Sequence, residues 1–419
     1  MQTNPEGAAR LFNEIAPLKE LMVWGEPGCE ALLGQLLPRS RSLFFSYYEV
    51  PEARREFKRM QTLIEKEGVR VIRAKDAFAH LAQNKSYPNL PTKLNELERL
   101  LIQKADEYFE AHKQEKVQEL AQGKVDNNIE DIFLQVKSDI KKTLWEDAET
   151  YGEQAAIGLN YLLSLSQPLP MANIFYGRDQ SSALGNKIVL SEMRWDIRKP
   201  EIGIYKEALI ELGYGDVLVE AEEGTVEGGD VVIFGDTCYI GVGARTTLSA
   251  VKNIYAKVGS MLEENGIQLL AIVNEKHEKE SANEISPTEE EMRIMHLDMF
   301  WIPLEKDLVM AYGEEVDHRR AVRVTRKNGE IVTEDVGSFR DYLVGRGFEI
   351  IEITTQEQKN FATNLLNLGN HKVIVSLSKN KRVTAELEKR GYQVLQAELN
   401  KLVNGYGAVH CLTAPVKRD

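Results

Sequence analysis

Residues 371–399 read HKVIVSLSKNKRVTAELEKRGYQVLQAEL. KVIVSL is a short run of apolar and β-branched residues that predicts a strand, RVTAELEKRG has helical spacing, and YQVLQA returns to strand grammar. The same order recurs in residues 40–78, SRSLFFSYYEVPEARREFKRMQTLIEKEGVRVIRAKDAF. There an apolar strand and a turn lead into a helix carrying Phe57, Met60, Leu63 and Ile64, followed by the strand VRVIRA. Residues 236–273, DTCYIGVGARTTLSAVKNIYAKVGSMLEENGIQLLAIV, give a third and less regular version. Three strand–helix–strand units in one chain predict an internally repeated α/β architecture, although the copies share little sequence.

The region around residues 91–165 breaks this rhythm. Leu94, Leu97 and Leu101, then Ile129, Ile132, Val136 and Ile140, follow a helical period without strand-like alternation. They predict a helical insertion interrupted near Gly123 and Asn127. An independent helical domain is the alternative. The charged stretch NEKHEKESANEISPTEEEM, residues 274–292, predicts a solvated loop.

Composition excludes several classes. The chain has 419 residues, 43% of them hydrophobic and 28% charged, which is the profile of a folded globular protein. Its net charge of −13 argues against a nucleic-acid binder or a protein of anionic membrane surfaces, which need clustered Lys and Arg. A cationic small molecule would not be repelled. The first residues lack the basic start and apolar run of a leader, and no run of about 18 apolar residues occurs, so a cytoplasmic protein is expected. Cys29, Cys238 and Cys411 are too few and too irregularly spaced for a disulfide framework or a zinc knuckle.

Four polar clusters interrupt apolar segments, where a buried charge is unfavourable without a partner or a task. In ANIFYGRDQ, an extended strand would put Asn173, Phe175, Gly177 and Asp179 on one face and Arg178 on the other, with an Arg178–Asp179 pair as the structural alternative. In TVEGGDVVIFGD, two glycines permit a tight turn or close backbone approach before VVIF and leave Glu227 and Asp230 at the strand mouth. In MRIMHLDMFWI, a strand would turn His296 and Asp298 to the same face. In NGYGAVHCLTAP, Cys411 follows Gly405 and Gly407 and neighbours His410, whose cationic form would favour a thiolate. Cys29 and Cys238 read as small buried hydrophobes.

The chain contains no G-x-S-x-G elbow, Walker A loop, H-E-x-x-H or C-x-x-C. What remains is a thiol, a histidine able to move protons, and several carboxylates. Paired carboxylates suit a cation, and a planar guanidinium matches two bidentate carboxylates best.

Taken together, NIFYGRD, EGGD, HLDMF and GAVHCLTAP resemble the ordered motifs of the guanidino-group-modifying enzymes of the pentein fold, and most closely the arginine deiminases. APLKELMVWGEPG and PEARREFKRMQTLIEKEGVRVIRAKD resemble the first repeat of that family, so the likeness spans nearly the whole chain. It implies a single catalytic domain over residues 1–419, a pentein-type α/β propeller of five pseudo-repeated ββαβ units, with residues 91–165 inserted. It further implies that Cys411 is the nucleophile and that His296 shuttles protons. Asp179 and Asp298 would grip the guanidinium, and Glu227 would hold His296. Asn173, Arg198 (in SEMRWDIRKPE) and Arg245 (in GVGARTT) would hold the amino-acid end, the two arginines clamping a carboxylate; a surface position is the alternative for Arg198.

The implied reaction is hydrolysis of L-arginine to L-citrulline and ammonia through a covalent thiouronium, with no cofactor and no metal. A homo-oligomer is compatible with it. His410 and Leu412 stand where arginine deiminases usually carry arginine and methionine, and a His-Cys pair resembles agmatine deiminases and amidinotransferases instead. Tyr176 and Gly177 likewise replace a phenylalanine and a small polar residue. An amidinotransferase, a hydrolase of a modified guanidine, and a pentein that only binds are therefore the rival expectations.

Overall fold

The computed structural model describes residues 9–44, 46–122, 128–274 and 288–419. Among them the strands form five sheets, four of three strands and one of five. A common core recurs in all five: an antiparallel pair, a crossover helix, and a third strand parallel to its neighbour. Parallel neighbours require such a crossover, because a tight turn can join only antiparallel strands.

The first sheet pairs Ser181–Leu184 with Lys187–Leu190 and crosses through helix Lys199–Glu211 to Leu218–Glu220. The second pairs Val231–Phe234 with Thr237–Val242 and crosses through Leu248–Glu264 to Gln268–Val273. The third joins Trp301–Glu305, Leu308–Tyr312 and, after helix Phe339–Gly345, Glu349–Ile353. Inside that crossover the hairpin Arg320–Lys327 and Glu330–Ser338 leaves to extend the second sheet to five strands. The fourth is the stretch quoted first: Leu366–Gly369, Lys372–Val375, helix Lys381–Lys389 and Gln393–Gln396. In the fifth, Ala414–Arg418 pairs antiparallel with Leu18–Val23, and helix Val50–Lys66 leads to the parallel strand Arg70–Arg73.

The amphipathic spacing decides which helix face is buried. Val383 and Leu387 are buried in the fourth unit, and Phe57, Met60 and Ile64 in the fifth. The expectation for the start of residues 40–78 is corrected. Arg39–Ser42 is one helical turn that ends where Leu43 adopts φ 59°, and the place beside Arg70–Arg73 is taken by Leu18–Val23.

Three helices, Leu94–Gln122, Ile129–Tyr151 and Glu153–Ser164, lie between the fifth-unit helix Ala74–Ala82 and the first sheet. Leu94, Leu97, Leu101, Ile129, Ile132, Val136 and Ile140 are all buried, and Asn128 caps the second helix by accepting the Glu130 N–H. Buried charges tie that helix to the fifth unit: Asp147 meets Arg54 at 3.1 Å and Lys75 at 3.7 Å. Such pairing is required, since an isolated buried charge would be strongly unfavourable. Gly123, Asn127 and most of the 274–292 stretch lie outside the described residues. No helix among the described residues is long and apolar enough to cross a membrane.

Candidate active site

Each of the four polar clusters adopts a turn that ends or begins a strand. Residues 173–179 do not form the expected strand. The Tyr176 N–H bonds back to the Asn173 carbonyl and the Asp179 N–H to the Tyr176 carbonyl, while the Arg178 N–H reaches across to the Cys411 carbonyl at 3.0 Å. His296 is extended, but Leu297–Met299 form a 3-10 turn, so His296 and Asp298 do not share a strand face. Cys411 lies in the one-turn helix Val409–Leu412 just before the fifth-sheet strand Ala414–Arg418.

The glycine pair at 228 and 229 has the expected close approach. A Cβ on Gly228 would lie 1.9 Å from the Arg178 carbonyl oxygen, and one on Gly229 would lie 2.6 Å from His296 Nδ1. The first contact is with backbone, which cannot swing away. Gly228→Ala is therefore expected to destabilise the fold by about 1–3 kcal/mol, read from urea unfolding; an unchanged midpoint would contradict this packing.

Asp179, Glu227, His296, Asp298 and Cys411 are all buried; contacts join Asp179, His296 and Glu227 in one set and Asp298 and Cys411 in another, and Asp179 and Cys411 line the same cleft. His296 Nε2 stands 2.9 Å from Glu227 Oε2, and its Nδ1 stands 3.6 Å from Asp179 Oδ1. Glu227 also accepts the Arg194 N–H at 3.1 Å and faces Arg245 at 3.5 Å. Burial opposes charge on His296, but Asp179 and Glu227 outweigh it and lift the imidazole to about 9. Glu227 itself is also desolvated, yet Arg245 and His296 hold it well below the usual carboxylate range. Behind them Asp230 accepts from Thr246 Oγ1 and the Leu297 N–H; burial raises it to about 7.

Cys411 Sγ accepts a hydrogen bond from Asn364 Nδ2 at 3.1 Å and lies 3.9 Å from Asp298 Oδ2. Asn364 Oδ1 in turn accepts the N–H groups of His410 and Cys411, fixing the helical turn that presents the sulfur. The thiol is pushed well above its ordinary value, first by burial and then by Asp298 and Asp179. The thiolate-favouring role expected of His410 is thus corrected: its ring points to Asp298, with Nδ1 to Oδ2 at 2.6 Å. Cys29 and Cys238 are buried among hydrophobic residues, as expected, and burial raises both thiols.

The arginines divide their work unequally. Arg198 is buried, which removes the surface alternative, and it is held from all sides. Its Nη1 donates to Asp179 Oδ2 at 2.6 Å, its Nε and Nη2 to Glu201, and Nη2 also to the Asn173 carbonyl. Arg178 does not pair with Asp179; it donates to the Thr413 carbonyl and meets Glu14 at 3.4 Å. Arg245 points Nη2 at the weakly accepting sulfurs of Met292 and Met295, at 3.1 and 3.5 Å. Asn173, Asp179, Arg198, Arg245 and Cys411 line one narrow cleft, with an open volume of about 10 Å³.

Three polar atoms of this cluster have no hydrogen-bond partner although they are buried: Asp179 Oδ1, Asp298 Oδ1 and His296 Nδ1. Buried polar groups are normally satisfied, so an unpaired set marks a place for a ligand. The two anionic oxygens fit a planar cation with N–H donors, while the Nδ1–H of protonated His296 is left free to donate. Donor atoms of Asp179, Glu227 and His296 also lie within 4.8 Å of one another, a spacing that a metal ion could use.

Asn364 and Glu14 were not anticipated from the sequence. Asn364 carried the same signal as the four clusters, a polar pair, Thr363–Asn364, set against the apolar strand LNLG, and only that signal could have found it.

The chain falls in a recognisable class, the guanidino-group-modifying enzymes of the pentein superfamily. A sequence profile of the arginine deiminase family matches residues 41–418, and the chain belongs to that family. The arginine deiminase of Streptococcus gordonii is 24% identical over 444 aligned positions spanning 100% of both chains. That of Halobacterium salinarum is 27% identical over 316 positions, covering 59% of this chain and 65% of the relative. Among solved structures, an amidinotransferase from Microseira wollei superposes with a TM-score of 0.53 at 14% identity, covering 98% of this chain and 97% of the other. DDAH from Pseudomonas aeruginosa gives 0.52 at 16% identity over 95% of this chain and 99% of the other. At these identities the superpositions speak for the fold alone.

Proposed function

We propose that this chain hydrolyses L-arginine to L-citrulline and ammonia, with residues 1–419 acting as one catalytic domain whose five sheets are the blades of an α/β propeller and whose helices in 91–165 are an insertion. The observation that carries this reading is the set of unpaired buried atoms, Asp179 Oδ1, Asp298 Oδ1 and His296 Nδ1, with Asp179 on the cleft that Cys411 lines and Asp298 beside the sulfur. A guanidinium between the two carboxylates would satisfy both orphan oxygens and set its carbon before the sulfur.

The bound cation favours the Cys411 thiolate, and the thiol proton leaves to solvent. The thiolate forms a C–S bond to the guanidinium carbon. His296, protonated at neutral pH, gives its proton to the departing nitrogen as ammonia, which leaves a thiouronium. Neutral His296 then takes a proton from water, the hydroxide adds to the same carbon, and the C–S bond breaks as the carbonyl of citrulline forms, the hydroxyl proton returning to the sulfur to restore the thiol. Glu227 keeps His296 oriented through both transfers. Arg245, whose Nη2 faces only sulfur, is assigned the substrate carboxylate; Arg198, committed to Asp179 and Glu201, stiffens the guanidinium site, and Asn173 lines the amino-acid end.

Transfer of the amidino group to an amine is the second reading, favoured by the His410–Cys411 pair. Product analysis with L-arginine, alone and with glycine, decides between them. Equal citrulline and ammonia, unaffected by glycine, is the expected result; glycine-dependent ornithine would replace the hydrolase by a transferase. Turnover is also expected to survive EDTA. Loss that added divalent metal restores would make Asp179, Glu227 and His296 a metal centre instead.

A further inference from the structure

We propose that His410 is a positioning residue that fixes the orientation of Asp298, and that it does so as a neutral imidazole with its single ring proton on Nδ1. The kinetic part of this inference rests on the function proposed above; the protonation part does not.

The argument starts from Asp298. Its Oδ2 lies 2.6 Å from His410 Nδ1 and its Oδ1 has no partner, so the carboxylate plane is set from one side only. On the other side of the ring, Nε2 stands 3.0 Å from Arg178 Nη2. A guanidinium nitrogen can only donate, so Nε2 must offer its lone pair and the proton sits on Nδ1, aimed at Asp298. A second proton on Nε2 would set two N–H groups head to head.

The surrounding charges agree. Glu14 Oε1 lies 3.4 Å from Arg178, 3.6 Å from Arg418 and 3.6 Å from His410 Nε2. Two carboxylates, Glu14 and Asp298, face two guanidinium groups, Arg178 and Arg418, and the buried set is balanced with the ring uncharged. Arg178 cannot retreat, because its Nε donates to the Thr413 carbonyl at 2.8 Å; Arg418 is held by the carbonyls of Ala16 at 2.7 Å and Asn367 at 2.9 Å. The ring is therefore clamped between a fixed donor and the carboxylate it aims.

The one-turn helix Val409–Leu412 makes this economical: it carries the sulfur on Cys411 and the imidazole on His410, so nucleophile and carboxylate are set by adjacent residues. Asn364 locks the pair by accepting both of their N–H groups. His410 thus acts on the cation through Asp298 and does not acidify its neighbour.

Two measurements test this. In ring-15N-histidine protein, with His410→Asn used to assign the signal, His410 should show the neutral Nδ1–H pattern at neutral pH. An imidazolium, or the Nε2–H form, overturns the proposal. In kinetics, His410→Asn keeps an N–H near Nδ1 and should retain kcat/KM within about threefold of wild type. His410→Gln, closer to histidine in size but reaching toward Nε2, should lose about 10- to 100-fold, as for a lost hydrogen bond to a charged group. Equal losses in both, with both variants folded, would show a packing role and overturn the positioning role. If wild-type protein leaves arginine unchanged, the proposed function fails and the ring-nitrogen measurement alone decides this inference.

Discussion

Cys411→Ser should fold as the wild type does and lose at least about a thousandfold in kcat on L-arginine. The substitution exchanges one atom in a fully packed turn whose N–H groups are held by Asn364, so far-UV circular dichroism and the melting temperature are expected to stay close to wild type. What changes is the nucleophile. The thiol is already held well above its ordinary value by burial and by Asp298 and Asp179, and only the arrival of a cation relieves that repulsion. A hydroxyl, far less acidic, would gain too little from the same cation to ionise. Rapid quenching of the wild type during turnover should trap a protein adduct heavier by arginine less ammonia, and the serine variant should show none. A serine variant with full activity would rule out the covalent route.

His296→Gln should lower kcat by about 10²- to 10⁴-fold, the range of general acid–base catalysis by one side chain. The wild-type rate should also fall as pH rises through about 9, where the imidazolium loses the proton it gives to ammonia. Glu227→Gln removes one of the carboxylates that lift His296, so this alkaline limb should move to lower pH. A limb unmoved by that change would exclude His296 as its source. The same group affects stability with a definite sign. Its folded value of about 9 lies above the ordinary 6.5, so its contribution is complete below about 6.5 and lost as pH rises through about 9. Urea unfolding at either end of that interval should show the folded state weaker on the alkaline side.

The repeat was legible because period carries it. Val383 and Leu387 in one helix, and Phe57, Met60 and Ile64 in another, are spaced for burial on one face, and both helices lie where that spacing puts them. The strand before the second of these was misplaced because SLFFSYY is apolar enough for a strand, whereas the choice of ladder partner depends on Leu18–Val23 and on residues some four hundred positions away. The candidate residues were legible as polar interruptions of apolar runs, and all five are buried, with Asp179, His296 and Glu227 in contact and Asp298 beside Cys411. Their local shapes were not. A period of two cannot distinguish a strand from a series of turns when the segment is only a few residues long, which is why 173–179 and 296–298 read as extended. Nor could adjacency in sequence show that His410 turns its ring toward Asp298 and away from the sulfur beside it.

The fifth sheet is spliced from strands near opposite ends of the sequence, Leu18–Val23 and Ala414–Arg418, and Cys411 sits three residues before that splice. Asp298 precedes Cys411 by 113 residues, and Asp179, Glu227 and His296 come earlier still. The order of synthesis therefore delivers the sulfur after every other member of the buried set, together with the strand that pairs with Leu18–Val23. A chain cut before Ala414 keeps the carboxylates and the imidazole but loses the strand that anchors the turn carrying Cys411, so the placement of the sulfur is expected to go with it.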